Sequence, residues 1–163
     1  MNINELSERV GKKLISKRLT LGICESCTGG MLGSIITAVP GSSRYFQGGV
    51  IAYSNLIKEK VVGVRRTVLR KFGAVSAETA EEMARGGRRR LKSKIGVGIT
   101  GIAGPTGGTK DKPVGLVYIG IAIGGRCSVK KFLFKGNRNT VRKNACKEAL
   151  IFLNDLLSKR GRR

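Results

Sequence analysis

The stretch "LGICESCTGGMLGSIITAVPG", Leu21 to Gly41, carries the reading of the fold. A short apolar run ends in Glu25 and Ser26, as a buried strand does on leaving the sheet. Thr28 follows as a candidate cap for a helix that opens at Gly29 and Gly30, runs through "MLGSIITAV" and stops at Pro40-Gly41. A strand that turns directly into a helix is the first half of a β-α-β unit, and the chain downstream repeats the alternation.

Working outward, residues 3–18 place Leu6, Val10 and Leu14 on one helical stripe. "FQGGVIAY" (46–53) reads as a strand, and "SNLIKEKVV" as a short helix capped by Ser54 or Asn55. "TVLRKF" reads as another helix, stopped by Gly73. Ser76 opens a helix through "SAETAEEMARGGRRRL", weakened by Gly86 and Gly87. "KIGVGIT" is a strand, and the glycine-rich segment 101–113 is a loop. "VGLVYIGIAI" and "CSVKKFLF" flank Gly124-Gly125, a hairpin signal. A long helix closes the chain, with Val141, Ala145, Ala149, Leu153 and Leu156 on one side. The predicted order is α-β-α-β-α-α-α-β-β-β-α. It gives a three-layer α/β/α sandwich with a mixed, mostly parallel sheet, because the closing hairpin forces at least one antiparallel strand. Residues 1–163 are expected to form one domain, with a basic frayed tail over about 159–163.

Composition limits the chemistry. The chain has 163 residues and no histidine, which removes Ser-His-Asp, Cys-His and HExxH machinery. The net charge is +22, from 32 Lys and Arg against 10 Asp and Glu. Such a field attracts polyanions and phosphorylated small molecules, and incidental nucleic-acid binding is one expected consequence. Aromatic content of 5% without tryptophan supplies base stacking poorly. No apolar stretch is long enough to span a membrane, and the N-terminus lacks the apolar core of a signal peptide, so a cytoplasmic location is expected.

Cys24 and Cys27 form a CxxC, but four zinc ligands are not at hand, and Glu25 between the thiols disfavours a thiolate. Two small buried thiols without a special role is the favoured reading. "GVGITG" (96–101) matches a dinucleotide fingerprint by letters only, since its glycines lie inside a strand. No metal and no organic cofactor is expected.

Ser26 is the candidate nucleophile. It sits where a strand gives way to a helix, and the backbone N–H groups of Thr28, Gly29 and Gly30 could serve a developing oxyanion. The residues by themselves leave capping and catalysis both open. Without histidine its base would be a lysine of lowered pKa. Lys58 is the candidate, in the first turn of the helix after "YSN", where a helix N-terminus, partial burial and the surrounding positive charge disfavour a cation. A solvent-facing lysine is the plain alternative.

Five segments occur together: "ESCTGG" (25–30), "VPGSS" with "FQGGVIAYSN" and Lys58 (39–58), "GAVSAETAEEMA" (73–84), "TGIAGPTGGT" with "KPVGLVY" (100–118), and "GNRNTVR" (136–142). In this order they resemble the CinA C-terminal domain family, which includes the PncC-like nicotinamide mononucleotide amidases. The resemblance covers roughly residues 3 to 157. It implies an amidohydrolase that converts nicotinamide mononucleotide to nicotinic acid mononucleotide and ammonia through a serine–lysine pair and an acyl-enzyme. Ser26 would be the nucleophile and Lys58 the base. Tyr53 would orient the lysine or relay its proton. Thr28, Gly29, Gly30, Asn55, Thr100, Gly101, Gly104 and Arg142 would surround the substrate. A homodimer is expected from the family's habit, and the absence of the family's additional N-terminal domain suggests a stand-alone form. Cys24 departs from the usual alanine and Asn137 from a common aspartate. Two other functions fit the residues: a polyanion-binding protein on the same fold, and an amidase for a different small amide.

Overall fold

The computed structural model describes residues 1–159, so Arg160–Arg163 of the expected tail lie outside the described residues, while Lys159 is the last residue of a helix. The elements run α1 (Ile3–Ser16), β1 (Leu21–Glu25), α2 (Met31–Thr37), β2 (Phe46–Ile51), α3 (Asn55–Ile57), α4 (Arg66–Phe72), α5 (Ala77–Arg90), β3 (Ile95–Gly101), β4 (Leu116–Ile123), β5 (Arg126–Leu133) and α6 (Arg138–Lys159). A short 3-10 turn, Ser42–Arg44, precedes β2, and a widened π-type turn, Lys58–Val62, continues α3.

The strand order is β2-β1-β3-β4-β5. β1 pairs in parallel with β2 on one side and β3 on the other, while β4 is antiparallel to both β3 and β5. Only β4 therefore runs against the other strands. It gets there through the 102–115 loop, Gly101 of the expected loop being the last residue of β3, and the Gly124-Gly125 turn reverses the chain again into β5. The chain leaves β1 to one side and later returns on the other, so β1 is the point at which strand order reverses. Open α/β sheets bind ligands outside the carboxyl ends of their strands at such a point.

Alternation builds the two faces. Ile23, Val97, Ile99, Ile119 and Ile121 point into one large core with α1, α2 and α6. The opposite face is nearly bare of side chains. A Cβ at Gly98 would stand 2.6 Å from the Ala80 carbonyl and the Ala84 nitrogen, and one at Gly120 2.6 Å from the Ala80 carbonyl. α5 thus lies directly on the strand backbones. This accounts for the "GVGITG" spacing. It also gives Gly86 and Gly87 a packing role: α5 runs unbroken through them, and a Cβ at Gly87 would meet Cys24 at 3.2 Å. On α6, Leu157 is the fully buried residue, and Leu156 only packs against the core. Asn137 accepts from the Thr140 N–H at 3.0 Å and so holds the start of that helix. No helix among the described residues is long and apolar enough to cross a membrane.

Candidate active site

The carboxyl ends of β1, β2 and β3 converge. The Ser26 N–H donates to the Ile99 carbonyl at 2.9 Å, and the Ala52 N–H donates to the Glu25 carbonyl at 2.8 Å. These two bonds extend the ladder one residue past the strands on each side of β1. Ser26 is thereby fixed as the first residue free to leave the sheet.

Lys58 comes to it from the segment that follows β2. Ser54 caps α3 by accepting from the Ile57 N–H at 3.2 Å, and the wider π-type turn begins at Lys58. Such turns redirect a side chain within an otherwise helical path. The Lys58 side chain runs inward and is only 2% exposed. Its Nζ lies 2.9 Å from Ser26 Oγ, 2.8 Å from the Ala52 carbonyl oxygen and 3.1 Å from the Tyr53 carbonyl oxygen. An ammonium donates three hydrogens, whereas a neutral amine has two hydrogens and one lone pair. Two carbonyls can only accept, so in the neutral amine they take both hydrogens and leave the lone pair facing Ser26 Oγ. Burial pushes the Lys58 pKa below its ordinary value, because the charged form loses hydration. Of the three expected causes, a helix N-terminus, partial burial and a positive field, burial is the dominant one, and α3 is only three residues long.

The turn after Ser26 differs from expectation. Thr28 does not cap α2. Its Oγ1 is buried without a partner, and the helix begins after Gly30. Gly29 and Gly30 have φ of 57° and 96°, the left-handed region that favours glycine. Of the three N–H groups expected to serve an oxyanion, that of Gly29 donates to the Ser26 carbonyl at 3.1 Å and that of Gly30 to Glu25 Oε2 at 3.1 Å. The N–H groups of Cys27 and Thr28 make no hydrogen bond to another residue among the described residues, and that of Cys27 lies beside its own thiol. Glu25 was read from sequence only as a neighbour of two thiols. It is 2% exposed and also accepts from the N–H groups of Leu32 and Gly33, at 3.1 and 2.9 Å.

The remaining candidates divide. Arg142 donates through Nη2 to the Thr28 carbonyl at 2.9 Å and so reaches the turn that carries Ser26. Tyr53 touches Lys58 through its carbonyl and not its phenol. Its hydroxyl accepts from Arg138 at 3.0 Å, while the same guanidinium donates to the Gly104 carbonyl at 2.7 Å. This joins three segments around one cation. The Thr100 hydroxyl is buried and donates to the Ala74 carbonyl at 2.6 Å, so it braces the scaffold beside the site. Gly101 provides close approach, since a Cβ there would meet the Leu116 carbonyl at 2.7 Å. Asn55 is exposed at the start of α3, and its side chain makes no hydrogen bond among the described residues. All four cysteines are free thiols. Burial lifts Cys24 to about 12 and Cys27 to about 11. Among the described residues no three His, Cys, Asp or Glu side chains cluster as metal ligands.

The motifs that form this corner can be compared with known proteins. Residues 3–157 match the model of the CinA C-terminal domain. The chain belongs to the CinA C-terminal domain family. A relative from Halothermothrix orenii, which carries the provisional name competence-damage inducible protein, is 52% identical over 149 residues; the match covers 91% of this chain and 36% of the relative. One of the same name from Clostridium perfringens is 49% identical over 154 residues, covering 94% of this chain and 37% of that protein. The chain therefore spans about a third of the length of these curated relatives. Among solved structures, the competence damage-inducible protein A from Klebsiella pneumoniae superposes with a TM-score of 0.94 at 32% identity, covering 97% of this chain and 98% of that one. The competence/damage inducible protein CihA from Agrobacterium tumefaciens gives 0.92 at 35% identity, covering 94% of each chain. The family and the mixed α/β fold thus agree with the sequence reading.

Proposed function

We propose that this CinA-family domain is an amidohydrolase that removes the amide nitrogen of nicotinamide mononucleotide, giving nicotinic acid mononucleotide and ammonia. The observation that carries this reading is the surrounding of Lys58 Nζ: two carbonyls and one serine hydroxyl, in a buried setting that favours the neutral amine. That arrangement is a general base aimed at a nucleophile, with no histidine required.

Lys58 takes the Ser26 proton as Oγ bonds to the amide carbon. The carbonyl oxygen becomes an oxyanion, for which the unpartnered N–H groups of Cys27 and Thr28 are the available donors. As the intermediate collapses, the C–N bond breaks and the proton on Lys58 passes to nitrogen, which leaves as ammonia. Water, deprotonated by the same amine, adds to the acyl-enzyme. The Ser26–carbon bond then breaks, releasing the acid and restoring the serine hydroxyl. The cation formed on Lys58 in each half is stabilised by the Ala52 and Tyr53 carbonyls, which accept from it throughout. Arg142 supplies positive charge over the nucleophile turn, and Arg138 supplies it beside Tyr53 and Gly104. These guanidiniums suit a substrate carrying a phosphate. The family's members commonly pair, and a homodimer in the cytoplasm is the setting proposed for this activity.

The test is direct. Purified protein is incubated with nicotinamide mononucleotide and ammonia is assayed, beside the Ser26→Ala variant. Release by the parent and none by the variant is expected. Release of ammonia only from some other small amide would keep the chemistry and replace the substrate. Salt-dependent nucleic-acid binding that survives Ser26→Ala, with no amide cleaved, would replace the enzyme reading.

A further inference from the structure

Glu25 raises a question that the serine–lysine pair does not answer. A carboxylate one residue before a nucleophile repels an oxyanion, and a buried one is costly unless fully hydrogen-bonded. Its oxygens accept from three backbone N–H groups, those of Gly30, Leu32 and Gly33. These are the groups at the start of α2 that have no partner within the helix. Its backbone is held as firmly, because its carbonyl accepts from Ala52. We infer that Glu25 is a positioning residue for the nucleophile: its carboxylate ties the end of β1 to the start of α2 and so fixes the turn that carries Ser26.

The turn has five residues to close, Ser26 to Gly30, and two of them adopt left-handed backbone. Glu25 and Gly33 are its two anchors, bridged by a single side chain. Between the anchors, the Ser26–Gly29, Thr28–Met31 and Gly30–Ser34 backbone bonds hold the chain, with the Ser26 N–H on the Ile99 carbonyl, Lys58 on Ser26 Oγ and Arg142 on the Thr28 carbonyl. The carboxylate has a second consequence. It occupies the N–H groups that would otherwise draw a substrate anion to α2, and so leaves those of Cys27 and Thr28 as the donors of the turn without a partner residue. An amide oxygen is thereby received next to Ser26, and a phosphate is directed to the arginines. The inference deepens the amidase reading and rests on its choice of Ser26 as nucleophile.

The experiment reads the serine without the amide substrate. Phenylmethylsulfonyl fluoride sulfonylates an activated serine hydroxyl: the O–S bond forms, and fluoride leaves together with the serine's proton. The rate of mass gain at Ser26 is followed by mass spectrometry in the parent and in Glu25→Gln, normalised to the folded fraction from circular dichroism. Glu25→Gln keeps the shape but turns an acceptor into a donor against the α2 N–H groups. A drop of about 30-fold or more in the labelling plateau is expected, with the midpoint of its pH profile unmoved because Lys58 keeps its surroundings. Equal labelling of the two folded proteins overturns the inference, since a merely structural cap would lower the melting temperature and leave the folded protein reactive. A shifted midpoint with an undiminished plateau also overturns it, because Glu25 would then act on Lys58 electrostatically. A parent that does not label at Ser26 sinks the inference along with the nucleophile. Slowed labelling in a protein that releases no ammonia from nicotinamide mononucleotide keeps the role of Glu25 and removes only the substrate. Should Glu25→Gln not fold, Glu25→Asp, whose carboxylate falls one methylene short of the same N–H groups, must show the same loss of plateau.

Discussion

β1 has two unlike flanks. On one side, β3 is regular: Ile95, Val97 and Ile99 fill the large core, and Gly96 and Gly98 let α5 rest on the backbone. Each residue's role follows from its parity in the strand. On the other side, β2 ends at Ile51 and the chain turns through Ala52, Tyr53, a three-residue helical turn and the π-type turn at Lys58. Here the roles belong to carbonyls, a buried amine and one cap. The regular flank sets where Ser26 stands, through the Ile99 carbonyl, and the irregular flank sets what it can do. Changes on the β2 flank should therefore cost rate, and changes on the β3 flank should cost stability.

The sharpest test of this division is the pair itself. Ser26→Ala and Lys58→Ala should each lower kcat by about three orders of magnitude or more, and the double variant should be little worse than either single, because both remove the same step. Lys58→Arg should not rescue activity, since a guanidinium keeps its proton. The rate should rise with pH through the lowered Lys58 value. The same shift has a sign for stability. Between that lowered value and the ordinary 10.5, the unfolded chain binds more protons than the folded one, so Lys58 makes the protein more stable as pH rises through this window. Below it, the unfavourable burial of the cation is fully present. Steady-state kinetics and denaturant titrations across pH check both, and a rate that falls through the window would remove Lys58 as base.

The opposite flank should give the opposite pattern. Gly98→Ala places a methyl against the Ala80 carbonyl, the Ala84 nitrogen and the Met83 side chain, and two of these are helix backbone. α5 must lift, at a cost of about 1–3 kcal/mol. Urea unfolding should show this loss, while the folded fraction keeps kcat within a few fold. A large fall in kcat at unchanged stability would show that the β3 flank does more than hold Ser26 in place.

The difference between the flanks also explains what could be read from sequence. Period-2 alternation in β3 and β4, the caps at Ser54 and Ser76, and the Gly124-Gly125 turn are local signals, and the element order follows from them. The pairing of Ser26 with Lys58 is not local. The residues alone left each of them open, and only the family's motifs joined them. Glu25 stayed hidden because its partners are backbone N–H groups five to eight residues ahead, which no side-chain pattern marks. Tyr53 was expected to orient the lysine or relay its proton, and nothing in the sequence marked that its backbone carbonyl is the group touching Lys58. The closure of Arg138 over Tyr53 and Gly104 had no sequence signal beyond its spacing from Arg142.

A smaller effect is expected at the outer edge of the site. Arg142→Ala removes the guanidinium over the Thr28 carbonyl but leaves Ser26, Lys58 and Glu25 in place. If it serves a phosphate equally in ground and transition states, KM should rise about 10- to 100-fold with kcat changed much less. The dephosphorylated nucleoside should then be a poor substrate for the parent and should lose little further in the variant. Equal turnover of nucleoside and nucleotide by the parent would leave Arg142 as a brace for the nucleophile turn.

The smallest effect should come from the cysteines, although two of them frame Ser26. Cys24 faces α5 on the glycine side, within reach of Gly87, and Cys27 points into the large core. Burial raises the first to about 12 and the second to about 11. At pH 7 a thiol with such a value is thiolate in about one molecule in ten thousand or fewer, and the thiolate is the reactive form. Alkylating reagents at neutral pH should therefore leave both thiols and the activity unchanged over the time in which an exposed thiol reacts fully. Cys24→Ala should keep kcat within a few fold, because the methyl that remains still fills the space against Gly87. Activity that instead tracks thiol oxidation would dissolve the contrast between the flanks, for the rate would then depend on the buried strand itself. Cys27, adjacent to Ser26 and carrying one of the two unpartnered N–H groups, would become the nucleophile to test.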